Sequence, residues 1–298
     1  MARLHTTTRP SKARGGFTLI ELLIAVLIIG ILATLVTLGV SKAMTYAKQV
    51  ATKTEMGQIE QALGVAAIEM GRVPYIPSII KLCNDKTKYG STALDQLSLR
   101  IITQMFPNAW TATPPLEDWD GSGKYNPNGI FILNADRAFV YFLRGPAGNG
   151  FSAKGQPTSN PPLGKRFGPY FNFVSSRLKD AYKDGIPVYL DYWENTVDPD
   201  KNIKPFLYVF SQMMVGQPET SKAKFDEDDA YKLPIYRQID LTGKKYWMPK
   251  GYQIFSAGKD GLWGPYSRGG QFTGSLTGSG EDDQSNFADE PHGKPIND

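Results

Sequence analysis

Cysteine and histidine are nearly missing from this chain. Of its 298 residues one is cysteine, Cys83, and two are histidine, His5 and His292. A single cysteine excludes an intrachain disulfide, so an exported domain built from this sequence needs some other staple for its loops. His5 belongs to a basic N-terminal stretch and His292 to a polar C-terminal one, which argues against histidine-based zinc sites and against a Ser-His-Asp triad. Nucleotide-binding loops are missing as well. Gly164-Lys165 has no glycine five residues before Gly164 and is followed by Arg166 instead of Ser or Thr, so it is not a P-loop, and no dinucleotide fingerprint occurs. Finally, the formal net charge of +4 is concentrated at the start. Residues 1–16 hold Arg3, Arg9, Lys12 and Arg14 and no acid, and from Phe17 onward 29 basic residues balance 29 acidic ones. Without that leader the chain has no nucleic-acid footprint.

What the chain does contain is a long apolar run. From Phe17 to Val40, 24 residues include one ionisable side chain, Glu21. At about 1.5 Å per residue such a helix covers roughly 36 Å, enough for a hydrocarbon core of about 30 Å. The basic stretch before it favours the cytoplasmic side, which places the C-terminal part beyond the inner membrane, in a single-pass arrangement. A carboxylate in lipid is costly, so Glu21 calls for a cationic partner.

The residues around that acid, Gly16-Phe17-Thr18-Leu19-Ile20-Glu21, resemble the N-terminal processing motif of the type IV pilin superfamily, which includes the pseudopilins of type II secretion. The resemblance implies cleavage by a prepilin peptidase between Gly16 and Phe17, N-methylation of the new Phe17 amine, and neutralisation of that amine by Glu21 between neighbouring subunits of a filament. An ordinary secretory signal has a shorter apolar core and a small-residue cleavage site; a plain signal anchor explains the length but leaves Glu21 without a purpose.

Beyond Val40 the helix is expected to continue to Gly71. Met56, Ile59, Leu63, Ala66 and Met70 recur at spacings of three and four, with Ala43, Ala47, Val50 and Ala51 as a weaker stripe before them. This gives a membrane half (17–40) and an amphipathic half (41–71) that packs on a globular domain (72–298). Gly71, Pro74 and Pro77 stop the helix. A second helix is expected from about Thr92 to Met105, and a third, capped by Asn134, through Leu143. Four aromatic or β-branched runs are expected as strands: Tyr170–Val174, Ile186–Leu190, Phe206–Phe210 and Tyr252–Phe255, with Asp184-Gly185 turning the first pair into a hairpin. The fold class is therefore α+β, a long helix laid on an antiparallel sheet, pilin-like, with large loop insertions. Asp118–Gly129 has the start of an EF-hand loop but ends on glycine where the bidentate glutamate belongs. It and the acidic run Asp226–Asp229 are expected to be surface loops.

The segment 256–290 is the second informative one. Ser256-Ala257-Gly258-Lys259-Asp260-Gly261-Leu262, then a Gly/Ser/Thr-rich stretch, then Asp282-Asp283-Gln284-Ser285, resembles the C-terminal calcium loop of the major, G-type pseudopilin. The resemblance implies calcium held by Asp260, Asp282 and Asp283, helped by Ser285 and by the backbone near Leu262. Between these two segments the likeness is weak, and the chain is longer than a compact major pseudopilin needs. The expected role is structural, not enzymatic: a filament subunit with itself, other pseudopilins, the prepilin peptidase and an inner-membrane secretion platform as partners. Two alternatives remain open. One is a pilin or minor pilin of a type IV pilus for adhesion or DNA uptake. The other is a membrane-anchored binding or hydrolytic domain whose aromatic loops (Trp110, Trp119, Trp193, Trp247) hold a ligand such as a glycan.

Overall fold

A computed structural model describes residues 16–71, 73–107, 109–110, 130–152, 166–193, 204–210, 251–262, 281–288 and 291–292. Residues 1–15 of the expected leader 1–16, the EF-like stretch, the acidic run 226–229, the Gly/Ser/Thr-rich stretch 263–280, Trp119 and Trp247 lie outside the described residues.

The expected helix is there without a break: α1 runs Leu19–Glu69, 51 residues. It is one helix long and apolar enough to cross a membrane. Every residue from Gly16 to Met44 is exposed. Burial begins at Thr52, and the stripe Met56, Ile59, Leu63, Ala66 and Met70 is fully enclosed; of the weaker stripe, Ala43, Ala47 and Val50 stay exposed and Ala51 is half-buried. The chain divides into two compact units, 1–47 and 48–298. At its C-terminal end the Met70 amide donates to the Ala66 carbonyl, and Gly71 takes φ +88°, the left-handed turn that glycine adopts without strain after a helix.

In the unit 48–298, Ile80–Cys83 (β1) pairs antiparallel with Ile130–Leu133 (β2), and Ala93–Met105 (α2) packs on β1. Thr92 caps α2: its Oγ1 accepts from the Asp95 amide at 3.1 Å and donates to Asp95 Oδ2 at 2.7 Å. Asp95 also receives Lys81 of β1 at 2.7 Å. The third helix, α3 (Ala138–Arg144), starts later than expected. Asn134 does not cap it; its carbonyl accepts from the amides of Arg137 and Ala138 in a preceding turn. Arg137 is the N-cap and makes no side-chain cap bond, its guanidinium being committed to Asp184 at 2.5 Å and to the Ile132 carbonyl at 2.6 Å.

The strands form several small antiparallel sheets instead of one. Phe151–Ser152 (β3) pairs with Arg166–Phe167 (β4), and Leu178–Lys179 (β5) pairs with Val188–Tyr189 (β6). Leu207–Phe210 (β7), Tyr252–Ser256 (β8) and Gln284–Ser285 (β9) make a three-stranded sheet in which Leu207 faces Phe255 and Ser256 faces Gln284. The expected strand Tyr170–Val174 does not form. The Tyr170 amide donates to the Leu143 carbonyl of α3 and that of Val174 to the Tyr189 phenol, so its backbone has no ladder partner. Its rings are core pieces: Phe171 and Phe173 lie 4.7 Å apart and both pack edge-on against Tyr189. The turn at Asp184-Gly185 is real, but the strand it returns from is β5. One apolar cluster joins Met56, Ile59 and Leu63 of α1 to Phe139 of α3, Tyr208 of β7 and Ile254 of β8.

Candidate functional sites at the helix start and the C-terminal loop

The helix start is built from four residues. Gly16, Phe17 and Thr18 precede α1 outside any regular element, and Phe17 is 80% exposed. Thr18 and Glu21 form a reciprocal cap. Glu21 Oε2 accepts from the Thr18 amide and hydroxyl, each at 2.8 Å, and the Glu21 amide donates to Thr18 Oγ1 at 3.3 Å. This is the capping-box arrangement, which satisfies helix N–H groups that otherwise have no partner. Glu21 thus does local work in the single subunit, in addition to the intersubunit role that the resemblance implies. Gly16 needs no glycine for the fold: a Cβ there meets nothing within 4 Å, and its φ is not in the left-handed range. A requirement for glycine at this position must come from whatever handles the Gly16-Phe17 bond.

The C-terminal loop brings three of its five expected residues, Asp260, Leu262 and Asp282, together. Asp282 Oδ2 accepts from the Asp260 amide at 2.7 Å, and Asp260 Oδ1 accepts from the Leu262 amide at 2.7 Å. The close approach depends on Gly258. With φ +64°, it sits where a Cβ would fall 2.1 Å from the Asp282 carbonyl oxygen, so both its conformation and its lack of side chain are required. Partial burial, with the Asp260 carboxylate next to it, pushes the Asp282 carboxyl above its usual range.

The other two expected ligands, Asp283 and Ser285, are turned into the protein and are buried. Ser285 Oγ is hydrogen-bonded to His292 Nε2 at 2.9 Å, and the His292 amide donates to the Asp283 carbonyl at 2.9 Å. His292 is therefore no part of a loose polar tail. Burial, with the Lys53 ammonium contributing, lowers its pKa to about 3, so the ring is neutral. This Ser-His pair is enclosed, with Ser285 and His292 at 1% and 0% exposure. Among the described residues no group of three or more His, Cys, Asp or Glu side chains is gathered closely enough to hold a metal ion. The donors that fit a hard cation at this loop are the Asp260 and Asp282 carboxylates, with backbone oxygens available around them.

The same segment is fastened to α1 by bonds that the sequence does not advertise. Lys53 Nζ donates to the carbonyls of Ser285 and Ala288. Gln284 Nε2 reaches the Gln49 carbonyl at 3.0 Å. Asn286 is held on three sides: it donates to Glu60 Oε2 and to the Tyr252 carbonyl, and it accepts from the Ile254 amide. Deeper on α1, Glu55 receives two guanidinium N–H groups of Arg177, at 2.8 and 2.5 Å, and the Tyr189 hydroxyl at 2.8 Å.

No curated protein and no solved structure matches the chain. Residues 11–37 match the prokaryotic N-terminal methylation motif, a span that contains the leader's last residues, Gly16, Phe17, Glu21 and the first part of the apolar helix. The chain therefore carries a prepilin-type signal, and this supports the type IV pilin superfamily as its family.

Proposed function

We propose that this chain is a structural subunit of a short periplasmic fibre serving a type II secretion-like machine. It is stored in the inner membrane by the apolar half of α1, cut after Gly16 by a prepilin peptidase, methylated at Phe17, and polymerised through α1 with copies of itself and other pseudopilins on an inner-membrane platform. The observation that carries this reading is the matched methylation motif, with Glu21 four residues after Phe17 at the exposed head of a helix long enough to span a bilayer. The test is the intact mass of protein extracted from membranes. It should equal residues 17–298 plus one methyl group, and Gly16→Ala, whose Cβ meets nothing within 4 Å, should leave the leader attached. A retained leader in the unaltered protein, or a cut elsewhere, overturns the reading. A deletion strain separates the two kinds of fibre: failed protein secretion supports the pseudopilus, whereas normal secretion with lost surface fibres makes this a type IV pilus subunit.

The pseudopilin reading also includes a calcium ion at the C-terminal loop, resting on the paired Asp260 and Asp282. Two adjacent carboxylates repel each other and are relieved by a dication. An ion bound only by the folded state stabilises by RT ln(1 + [L]/Kd), about 2.7 kcal/mol at a hundredfold excess over Kd. The full chain in detergent should melt several degrees higher with calcium than with chelator, and Asp282→Asn should abolish that difference. Equal melting temperatures at millimolar calcium rule the ion out.

A further inference from the structure

An open groove of about 510 Å³ runs beside α1 in the unit 48–298, walled by Glu55, Gln58 and Gln61 of the helix, by Phe171 and Asn172 of the segment that fails to become a strand, and by Tyr192. We propose that this groove binds a neutral saccharide chain. Its volume is that of an ordinary small-ligand site, and three features select the class of ligand.

The first is charge. Among the described residues that line the groove, Glu55 is the only carboxylate and none is Lys or Arg. Both Glu55 oxygens are already bonded, to Arg177 and Tyr189. From these residues a charged ligand would gain no counter-ion for the hydration it gives up. The second is a prepared ring. The Arg177 guanidinium lies 4.2 Å from the Tyr192 ring centroid and so covers one face and fixes the ring, which is still 37% exposed. Held in this way, Tyr192 offers a flat apolar surface at low entropic cost to the C–H face of a pyranose. The third is the amide rim. Gln58 and Gln61 stand three apart on one side of α1 and are exposed, as is Asn172 opposite; among the described residues no hydrogen bond engages their side chains. An amide both donates and accepts, which matches hydroxyl groups that do the same. A proline-rich peptide would use the rings but has few donors for the amide carbonyls, since each proline lacks an N–H. The groove is present in the single chain, so binding can be measured without a fibre.

The experiment is isothermal titration of the full-length protein in detergent micelles with chitotetraose, cellotetraose and maltotetraose, and with a proline-rich decapeptide as the competing class. At least one saccharide should bind in the millimolar range or tighter, and Tyr192→Ala should weaken it by about tenfold or more, the loss expected for a stacked ring. The exposed pair Gln58→Ala/Gln61→Ala should weaken it to a similar degree, and this pair decides the matter if Tyr192→Ala proves unfolded by circular dichroism. Absence of binding by all three saccharides, binding that both variants leave unchanged, or binding of the decapeptide alone overturns the proposal.

Discussion

Replacing Arg177 with methionine should lower the stability of the unit 48–298 by about 3–5 kcal/mol, the cost of leaving a buried charge without its partner. Glu55 and Arg177 are 6% and 2% exposed, and they connect α1 to the turn that leads into β5 across 122 residues of sequence. The guanidinium has several partners at once. It is bidentate to Glu55, donates to the Leu190 carbonyl at 3.1 Å and to the Tyr189 hydroxyl, and stacks on the rings of Tyr189 and Tyr192. Methionine fills similar volume without charge, so the loss comes from the orphaned carboxylate and the broken bonds and not from a cavity. For a unit of this size the melting temperature should fall by roughly 6–20 °C, at about 2–4 °C per kcal/mol. Glu55→Leu should cost less when combined with Arg177→Met than either change costs alone, because an apolar pair has no stranded charge. Thermal melts of the four proteins by circular dichroism decide it; an unchanged melting temperature for Arg177→Met would show that the pair contributes nothing.

That ion pair also marks the limit of what the sequence reveals. A helix announces itself through neighbours: Met56, Ile59, Leu63, Ala66 and Met70 are each within one turn of the next, and all of them are buried as their spacing requires. Thr92 and Pro107 bracket α2 for the same local reason. Short strands carry no comparable signal. In β2, Ile130-Phe131-Ile132-Leu133 alternates between exposed and buried positions, but all four residues are apolar, so the alternation is invisible in composition. The reverse error occurred at Tyr170–Val174, where residues with high strand propensity supply rings to the core while their amides bond to α3 and to a phenol. Propensity describes side chains that fit a pleated surface, and tertiary packing overrides it.

The candidate sites divide in the same manner. Gly16, Phe17 and Glu21 lie within six consecutive residues, so their pattern is complete before the chain folds. The loop residues Asp260 and Asp282 are 22 apart and were legible only through resemblance. Glu55 with Arg177, Lys53 with the carbonyls of Ser285 and Ala288, and His292 with Ser285 join positions that nothing in the sequence connects. A hint was available for one of them: Glu55 is an acid within one turn of Met56 and Ile59, next to the most strongly apolar face of the helix, and a charge so placed needs a buried cation.

Changing Glu21 to glutamine should leave the subunit folded, inserted and cut, and should abolish the fibre. Two roles fall on one side chain, the cap that the structure shows and the charge pairing proposed for the fibre. Glu21 Oε2 holds the capping box with Thr18, while among the described residues no hydrogen bond engages Oε1. Glutamine supplies a carbonyl oxygen for the cap, since Glu and Gln serve equally at this position, but it cannot neutralise a neighbour's Phe17 amine. In an assembled core that amine would then be a buried cation without a counter-charge, costing several kcal/mol for each subunit added. Alanine at the same position should lose the cap as well. Thr18→Val reverses the test: it removes the hydroxyl of the box and keeps the carboxylate, so fibres should still form. Intact mass reports cutting and methylation, and recovery of cross-linked polymer after shearing reports assembly. Normal polymer from Glu21→Gln would show that charge pairing does not drive assembly, and loss of polymer from Thr18→Val would show that the cap itself is what the fibre requires.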